Sequence, residues 1–243
     1  MLHDAPFFWC DEETLYELDA LPRLASWERS DHPTQVALRA SLDHAWSMIS
    51  QRLQAESGPW AMTLHLGLPE SVDLTHEHDL DNYAFPLARG LASRTERPVI
   101  AVLATKEHGS SSFIGIGRAE PVVLPYDDEV TTTLRTSAST ESTAYKQEIA
   151  DHLEAFPELR DGPVQLRLAF WVGRSRNWLN LWKPTIDALG GILGPSDRPD
   201  PWSPDDGRIG LLGLSCHTDA QMGNDVIIAI SASTVDDRAW DAD

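Results

Sequence analysis

The chain has 243 residues, of which 42% are hydrophobic, and a formal net charge of −19. Its length and apolar content are sufficient for a packed core, and no apolar run approaches the roughly 18 residues of a membrane span. Because phosphate backbones are bound through Lys and Arg, the acidic balance argues against a general nucleic-acid binder and leaves room only for a local basic cluster.

The cysteine content indicates the redox compartment. Cys10 and Cys216 are too few for a disulfide framework or a zinc ligand set. The N-terminal residues also lack the basic and apolar regions of a signal peptide. We therefore expect reduced thiols in a cytoplasmic protein that does not contact a membrane.

The first half begins with a segment that shows no periodicity, so residues 1–34 are predicted to be irregular. An amphipathic pattern over residues 35–54 predicts a helix, which Gly58-Pro59 ends. Alternation of apolar and polar residues over 60–68 then predicts a half-buried strand, with Leu64 and Leu66 facing inward.

A charged loop follows and leads to a short helix. The helix is predicted to start after Asn82, because Asn is a good N-cap residue, and Pro86 would then lie near the end of its first turn. The remaining elements of the first half are predicted to be a strand, a turn and a return strand, at residues 99–104, 108–110 and 113–116.

The second half repeats this order of elements. Tyr145, Ile149 and Leu153 have helical spacing, and Leu166, Leu168 and Phe170 form the inward face of a strand. The predicted strand, helix and two final strands occupy residues 164–172, 181–193, 208–216 and 225–231. The Thr- and Ser-rich stretch before this half is predicted to be a linker.

An internal repeat supports the division into halves. Residues 79–91 and 177–189 align so that Asn82 matches Asn180, Pro86 matches Pro184 and Leu91 matches Leu189. The predicted fold class is therefore α+β. Its parts are an N-terminal segment, a first half, a linker, a second half and an acidic tail, at residues 1–34, 35–128, 129–142, 143–234 and 235–243.

Several landmarks of the second half occur in the order of a known family. They are Ala144-Tyr145-Lys146, the basic Arg174-Ser175-Arg176, Asn180 with Lys183, Asp187-Ala188-Leu189, and Asp205-Asp206 directly before a strand. In this order, residues 143–231 resemble the RusA-type Holliday junction resolvases, and the first half repeats the pattern in outline.

The resemblance implies a tandem pair of RusA-like helix–strand–helix–strand–strand units. It further implies a monomer that acts as a fused pseudo-dimer. Enzymes of this family cut branched DNA with a divalent metal, using two motif aspartates, a third aspartate from the Asp-Asp pair and a lysine. The matching residues in this chain are Asp79, Asp81, Asp206 and Lys183.

Neither half contains the complete family set. The second half has Asn177 and Leu179 in place of the two motif aspartates, although Lys183 and Asp206 remain. The first half keeps Asp79 and Asp81 but has Phe85 at the lysine position and no Asp-Asp pair before its strand.

Asp79 and Asp81 are the first candidate metal ligands. Carboxylates separated by one residue on an extended segment lie on the same side and can share Mg²⁺ or Mn²⁺, which could activate water for phosphodiester attack. His78 is a further candidate ligand, and with His76 it could instead form a transition-metal site. A solvated acidic loop that caps a helix is the alternative for all of these residues.

Asp206 and Lys183 are the remaining catalytic candidates. Asp206 could supply a third carboxylate, or Pro204-Asp205-Asp206-Gly207 could simply form a turn. Lys183 could neutralise a phosphate in the transition state or be an ordinary exposed helix residue.

Two further groups could contact nucleic acid. The predicted basic face consists of Arg174, Arg176, Lys183 and Arg208. Trp178 and Trp182 could stack on bases or, as is more common for such pairs, pack in a core.

Two functions remain open from these patterns. The incomplete motifs and the net charge favour a non-catalytic descendant that binds a nucleic-acid or protein partner. The alternative is a magnesium-dependent endonuclease that acts on branched DNA through Asp79 and Asp81.

Overall fold

The computed structural model describes residues 7–22, 31–55, 58–76, 78–95, 98–122, 128–196 and 200–235. Its strands are β1 (Phe7–Leu18), β2 (Trp60–Leu68), β3 (Val99–His108), β4 (Ser112–Val122), β5 (Val130–Thr136), β6 (Val164–Val172), β7 (Ile209–Thr218) and β8 (Val226–Thr234). Its helices are α1 (Pro33–Ala55), α2 (Leu80–Arg94), α3 (Thr143–Leu153), α4 (Trp182–Asp187) and α5 (Gly190–Leu193), with 3-10 turns at Trp178–Leu181 and Asp206–Arg208.

All described strands belong to one sheet. The eight strands are ordered β1-β4-β2-β3-β7-β6-β8-β5. From either edge inward, the order is the first, fourth, second and third strand of one half, so the two halves have the same strand order. Pairs β2–β3 and β6–β7 are parallel, and all other neighbouring pairs are antiparallel. The mixed α+β class predicted from the sequence is therefore confirmed.

The two central strands join the halves. β3 and β7 are antiparallel, and Leu103 lies opposite Gly213 in the middle of their register. Outside this pair, Trp60 lies opposite Val99 and Val164 lies opposite Ile209, and the register shifts directly after each of these pairs. The parallel strand pair of each half thus has a register shift at the same place, after its first pair of residues.

The main core lies between the sheet and the helices. The inward positions predicted for β2 and β6 are confirmed, since Leu64, Leu66, Leu166, Leu168 and Phe170 are fully buried. They pack with the apolar face of α2 in one continuous cluster. The opposite face of the sheet is partly covered as well, since Ala169, Trp171 and Ala229 pack with Phe7 and Met222 in a second cluster.

The helix that carries the first copy of the repeat begins earlier than predicted. α2 starts at Leu80 with Asp79 as its N-cap residue, and Asn82 lies within its first turn. Asp and Asn are about equally good at this position, so propensity alone does not choose between them. Pro86 consequently lies in the second turn of α2 and leaves the Asn82 carbonyl without its helical N–H partner.

Other sequence predictions are also wrong in detail. The predicted helix over residues 181–193 is divided into a 3-10 turn, α4 and α5, with Gly190-Gly191 at the start of α5. The predicted linker contains β5, whose β-branched threonines favour an edge strand. The N-terminal segment predicted to be irregular contains β1. The acidic tail beyond residue 235 lies outside the described residues.

No helix among the described residues combines the length and the apolar character needed to cross a bilayer.

Candidate metal centre

Three carboxylates converge where the two halves meet. Asp79 occupies the N-cap position of α2, Asp81 lies in its first turn, and Asp206 begins the 3-10 turn before β7. One oxygen of each lies within 4.8 Å of the other two. Because α2 contacts both β3 and β7, the central strand pairing places the start of this helix beside the Asp206 turn.

A glycine allows this close approach. An ideal Cβ on Gly207 would lie only 2.9 Å from the carbonyl carbon of His76 and 3.0 Å from the oxygen of Thr75. Backbone atoms cannot yield as the end of a flexible side chain can. Gly207 therefore lets the loop before Asp79 pack directly against the turn that carries Asp206.

Lys106 joins the segment that carries Asp79 to the segment that carries Asp206. Its Nζ donates hydrogen bonds to the carbonyl oxygen of His78 at 3.2 Å and to that of Gly207 at 2.6 Å. These residues are the chain neighbours of Asp79 and Asp206. Lys106 is fully buried, and burial lowers its pKa to about 8, although Asp79 and Asp206 act in the opposite direction. Through these two hydrogen bonds, Lys106 fixes the separation of the two segments.

Lys106 was not predicted as a site residue from the sequence, although its position in β3 indicates a buried side chain. Along β3, Val102 and Ala104 face the core, and Lys106 continues the same two-residue phase. A lysine at an inward position of an apolar strand is rarely buried without a specific partner. The inward position of Lys106 therefore predicts a specific buried contact for its ammonium group.

Lys183 contacts the carboxylates themselves. Its Nζ is 2.7 Å from Asp206 Oδ2, 3.2 Å from Asp187 Oδ1 and 3.8 Å from Asp81 Oδ2. Burial alone would lower the pKa of Lys183, but the summed charge of Asp81, Asp206 and Asp187 outweighs it and raises this pKa. Lys183 is therefore a fixed positive charge at the site.

Asp187 extends the network to a second lysine. Lys146 Nζ donates to Asp187 Oδ2 at 2.6 Å, and Asp187 Oδ1 faces Lys183. Both residues belong to the sequence landmarks of the second half, but neither was predicted as a site residue. Asp187 therefore positions Lys183 beside the three converging carboxylates.

The charge of Asp81 is poorly compensated. Asp81 is only 5% exposed, and burial raises its pKa to about 6. Lys183 lowers this pKa, whereas Asp206 and Asp79 raise it further. A bound divalent cation would offset this repulsion, and three carboxylate oxygens are suitable ligands for Mg²⁺ or Mn²⁺.

Asn82 orients one of these ligands. Its Nδ2 donates a hydrogen bond to Asp79 Oδ2 at 3.0 Å. Asn82 was predicted to be the N-cap residue of α2, and its actual contact is with the residue that holds this position. The positive end of the helix also favours carboxylates at Asp79 and Asp81.

The histidines point to other partners. His78 has a positive φ of 62° and its Nδ1 forms a short hydrogen bond with the Tyr83 hydroxyl. Burial raises the pKa of Tyr83 to about 12, so this hydroxyl stays protonated and can donate a hydrogen bond to Nδ1. His76 Nδ1 lies 3.2 Å from Asp73 on the exposed loop. The described residues thus give the two histidines separate partners, and the group of three carboxylates includes neither.

The predicted basic face is only partly present. Arg208 is buried and donates to the carbonyl oxygens of Gly162, Leu193 and Arg160, so its assignment to an exposed face is wrong. Arg176 donates to the carbonyls of Asn224 and Ala138 and joins neighbouring loops. Arg174 is exposed. Of the four predicted cations, Lys183 is the one that contacts the carboxylates.

A cavity of about 360 Å³ opens beside the carboxylates. Asp81 and Lys183 line it, together with Phe85, Leu179 and Trp182. Trp182 is fully buried and Trp178 is 9% exposed, with ring centroids 5.0 Å apart. The packing alternative for this tryptophan pair is therefore correct, while Trp182 also lines the cavity.

No family model and no curated protein matches the chain.

Proposed function

We propose that the protein is a magnesium- or manganese-dependent endonuclease of branched DNA with one composite active site. The observation that carries this proposal is the convergence of Asp79 and Asp81 from the first half with Asp206 from the second half. Lys183 lies within 3.8 Å of Asp81 and 2.7 Å of Asp206. Neither half has the family set alone, but the two incomplete sets are complementary in space.

We propose further that the chain is a fused pseudo-dimer of RusA-like units and works as a monomer. Support comes from the strand order, which is the same from both edges, and from the register centred on Leu103 and Gly213. The repeated Asn, Pro and Leu positions of the sequence agree with it. In this arrangement the site corresponding to Asn177 and Leu179 has lost its carboxylates, and only one site remains.

The residues have separate roles in this proposal. Asp79, Asp81 and Asp206 would hold the cation, which when bound would act as a Lewis acid and lower the pKa of a coordinated water. Lys183 presents a fixed positive charge beside the ligands, where it can stabilise charge that develops on a phosphate. Lys106 keeps the His78 and Gly207 carbonyls, and therefore the neighbouring ligands, at a fixed separation.

A second candidate function rests on the charge distribution. The net charge is −19, and Arg208 and Arg176 are used in internal hydrogen bonds. Of the four residues predicted to form a basic face, Arg174 and Lys183 are then left for a duplex footprint, in which each phosphate contact needs one cation. A non-catalytic scaffold that binds a protein or nucleic-acid partner would have this property, and the composite site is what favours the nuclease over it.

Both cysteines are consistent with a reducing compartment. Cys10 and Cys216 are buried and form no disulfide, and burial raises the pKa of Cys216 to about 12, which keeps it unreactive. We propose a cytoplasmic location on this basis.

A cleavage assay tests the proposed function. Branched and flapped DNA would be incubated with Mg²⁺ or Mn²⁺ and wild type, Asp79→Asn, Asp206→Asn or the control Glu70→Gln. Glu70 is an acidic residue of the neighbouring loop with a 91% exposed side chain. We expect wild type and Glu70→Gln to cleave and both Asp variants to be inactive. Absence of cleavage by wild type over all substrates would favour the scaffold instead.

A further inference from the structure

Two residues that line the cavity beside the carboxylates are uncharged where the other copy of the repeat has a charged residue. In the alignment of the two repeats, Leu179 takes the place of Asp81 and Phe85 takes the place of Lys183. Both line the cavity of about 360 Å³ together with Trp182. A second site, equivalent to the first by the repeat, would need a carboxylate at position 179 and an amine at position 85. The cavity instead has an apolar and an aromatic side chain at these positions.

We propose that this cavity binds one unpaired nucleobase next to the phosphate that is cut. The proposal rests on the proposed nuclease function and specifies its substrate as DNA with an unpaired nucleotide at the branch. Enzymes that read an extruded base use pockets of this kind, in which the base stacks on aromatic or apolar side chains. A nucleotide whose base lies against Phe85 would have its phosphate near Asp81 and Lys183, which line the same cavity.

The polar groups of the cavity suit the edge of a base. Its lining also includes Asn82, Asn180, Thr140 and Glu141. Amide groups can donate and accept along a base edge, and a carboxylate such as Glu141 accepts from an exocyclic amine. An apolar wall with a few convergent polar groups is the usual composition of a small-molecule site.

Trp182 forms a closed part of the cavity wall. It is fully buried, so a bound base does not reach its indole Nε1, and the buried Nε1 atoms of Trp46 and Trp60 likewise have no acceptor among the described residues. Phe85 is partly exposed and lines the same cavity, so its ring is the one that a base can stack on.

Binding in Ca²⁺ tests the pocket without cleavage. The probe is a flapped DNA with 2-aminopurine as the unpaired nucleotide at the branch, compared with the same DNA carrying an abasic site there. Phe85→Ala removes the partly exposed stacking face, and Thr140→Trp fills the cavity from its rim. Trp9→Ala, at a 54% exposed aromatic residue of β1, is the matched control.

We expect wild type and Trp9→Ala to quench 2-aminopurine and to bind the base-containing DNA about tenfold more tightly than the abasic DNA, as loss of one base–aromatic stack predicts. Phe85→Ala and Thr140→Trp should bind both DNAs with the abasic affinity. Equal affinity of wild type for both DNAs, or no quenching, would overturn the pocket even if Mg²⁺-dependent cleavage is present. Discrimination in Ca²⁺ without cleavage in Mg²⁺ would support the pocket and overturn the nuclease.

Discussion

Lys183 on α4 and Asp81 on α2 come from different halves of the chain, yet Lys183 Nζ lies 3.8 Å from Asp81 Oδ2. The lysine is closer to Asp206, at 2.7 Å, so it lies between carboxylates of both halves. A site that looks incomplete in either repeat is thus assembled across their junction.

The buried carboxylate should destabilise the metal-free protein. The pKa of Asp81 is raised to about 6, so the folded protein retains a proton that an unfolded Asp releases near pH 4. The metal-free protein should therefore lose stability as the pH rises from about 4 to 6. Asp81→Asn removes this effect and should stabilise the protein by about 1–3 kcal/mol at pH 7.

Urea unfolding in EDTA at several pH values measures this difference. The control Glu70→Gln, in which the lost carboxylate is exposed, should stay within about 0.5 kcal/mol of wild type. An Asp81→Asn variant that is less stable than wild type in EDTA at pH 7 would show that the carboxylate is adequately compensated by Lys183.

Lys106→Met should separate the two ligand-bearing segments. The substitution leaves the His78 and Gly207 carbonyls without their donor, and an unsatisfied buried polar group costs about 1–3 kcal/mol. Affinity for Mn²⁺ should fall about tenfold, as is typical when a group that orients metal ligands is removed. Calorimetric titration at a temperature where the variant is folded measures this; an unchanged affinity would assign Lys106 to stability alone.

Arg208 should contribute to stability and not to DNA binding. Its guanidinium donates to three backbone carbonyls from a 6% exposed position. Arg208→Met should lower the free energy of unfolding by about 2–4 kcal/mol, because several buried acceptors lose their partners together. The exposed Arg174→Ala is the control and should leave stability unchanged. A stable Arg208→Met with weaker DNA binding would reverse these assignments.

The core position Phe170 should be sensitive to truncation. Phe170 is fully buried in the main core, so Phe170→Ala should cost about 3–5 kcal/mol in denaturant unfolding. Trp9→Ala removes a larger ring that is 54% exposed and should cost less than about 0.5 kcal/mol. A loss below about 1 kcal/mol for Phe170→Ala would contradict the inward face assigned to β6.

Local patterns were sufficient for much of the fold. β2 and β6 have the predicted bounds, because their alternation is regular and Gly-Pro precedes each strand. β5 was missed because its threonines resemble a polar linker, and its strand conformation depends on pairing with β8. The start of α2 was misplaced because Asp79 and Asn82 are equally good caps.

The candidate site could be predicted only in part. The repeat and the family motif identified Asp79, Asp81, Asp206 and Lys183 individually. Their convergence depends on the pairing of β3 with β7, a long-range register that neither repeat specifies. Lys106 and Asp187 were missed for a related reason, since their contacts cross between elements that are distant in the sequence.

One cation should be held jointly by carboxylates from both halves of the chain. Calorimetric titration of Mg²⁺ and Mn²⁺ into wild type, Asp79→Asn, Asp206→Asn and Glu70→Gln measures this binding. We predict one site per chain in wild type and Glu70→Gln, and at least about tenfold weaker binding in both Asp variants, because each removes one of three ligands. Loss of binding in Asp79→Asn with wild-type binding in Asp206→Asn, or the reverse, would contradict the composite site.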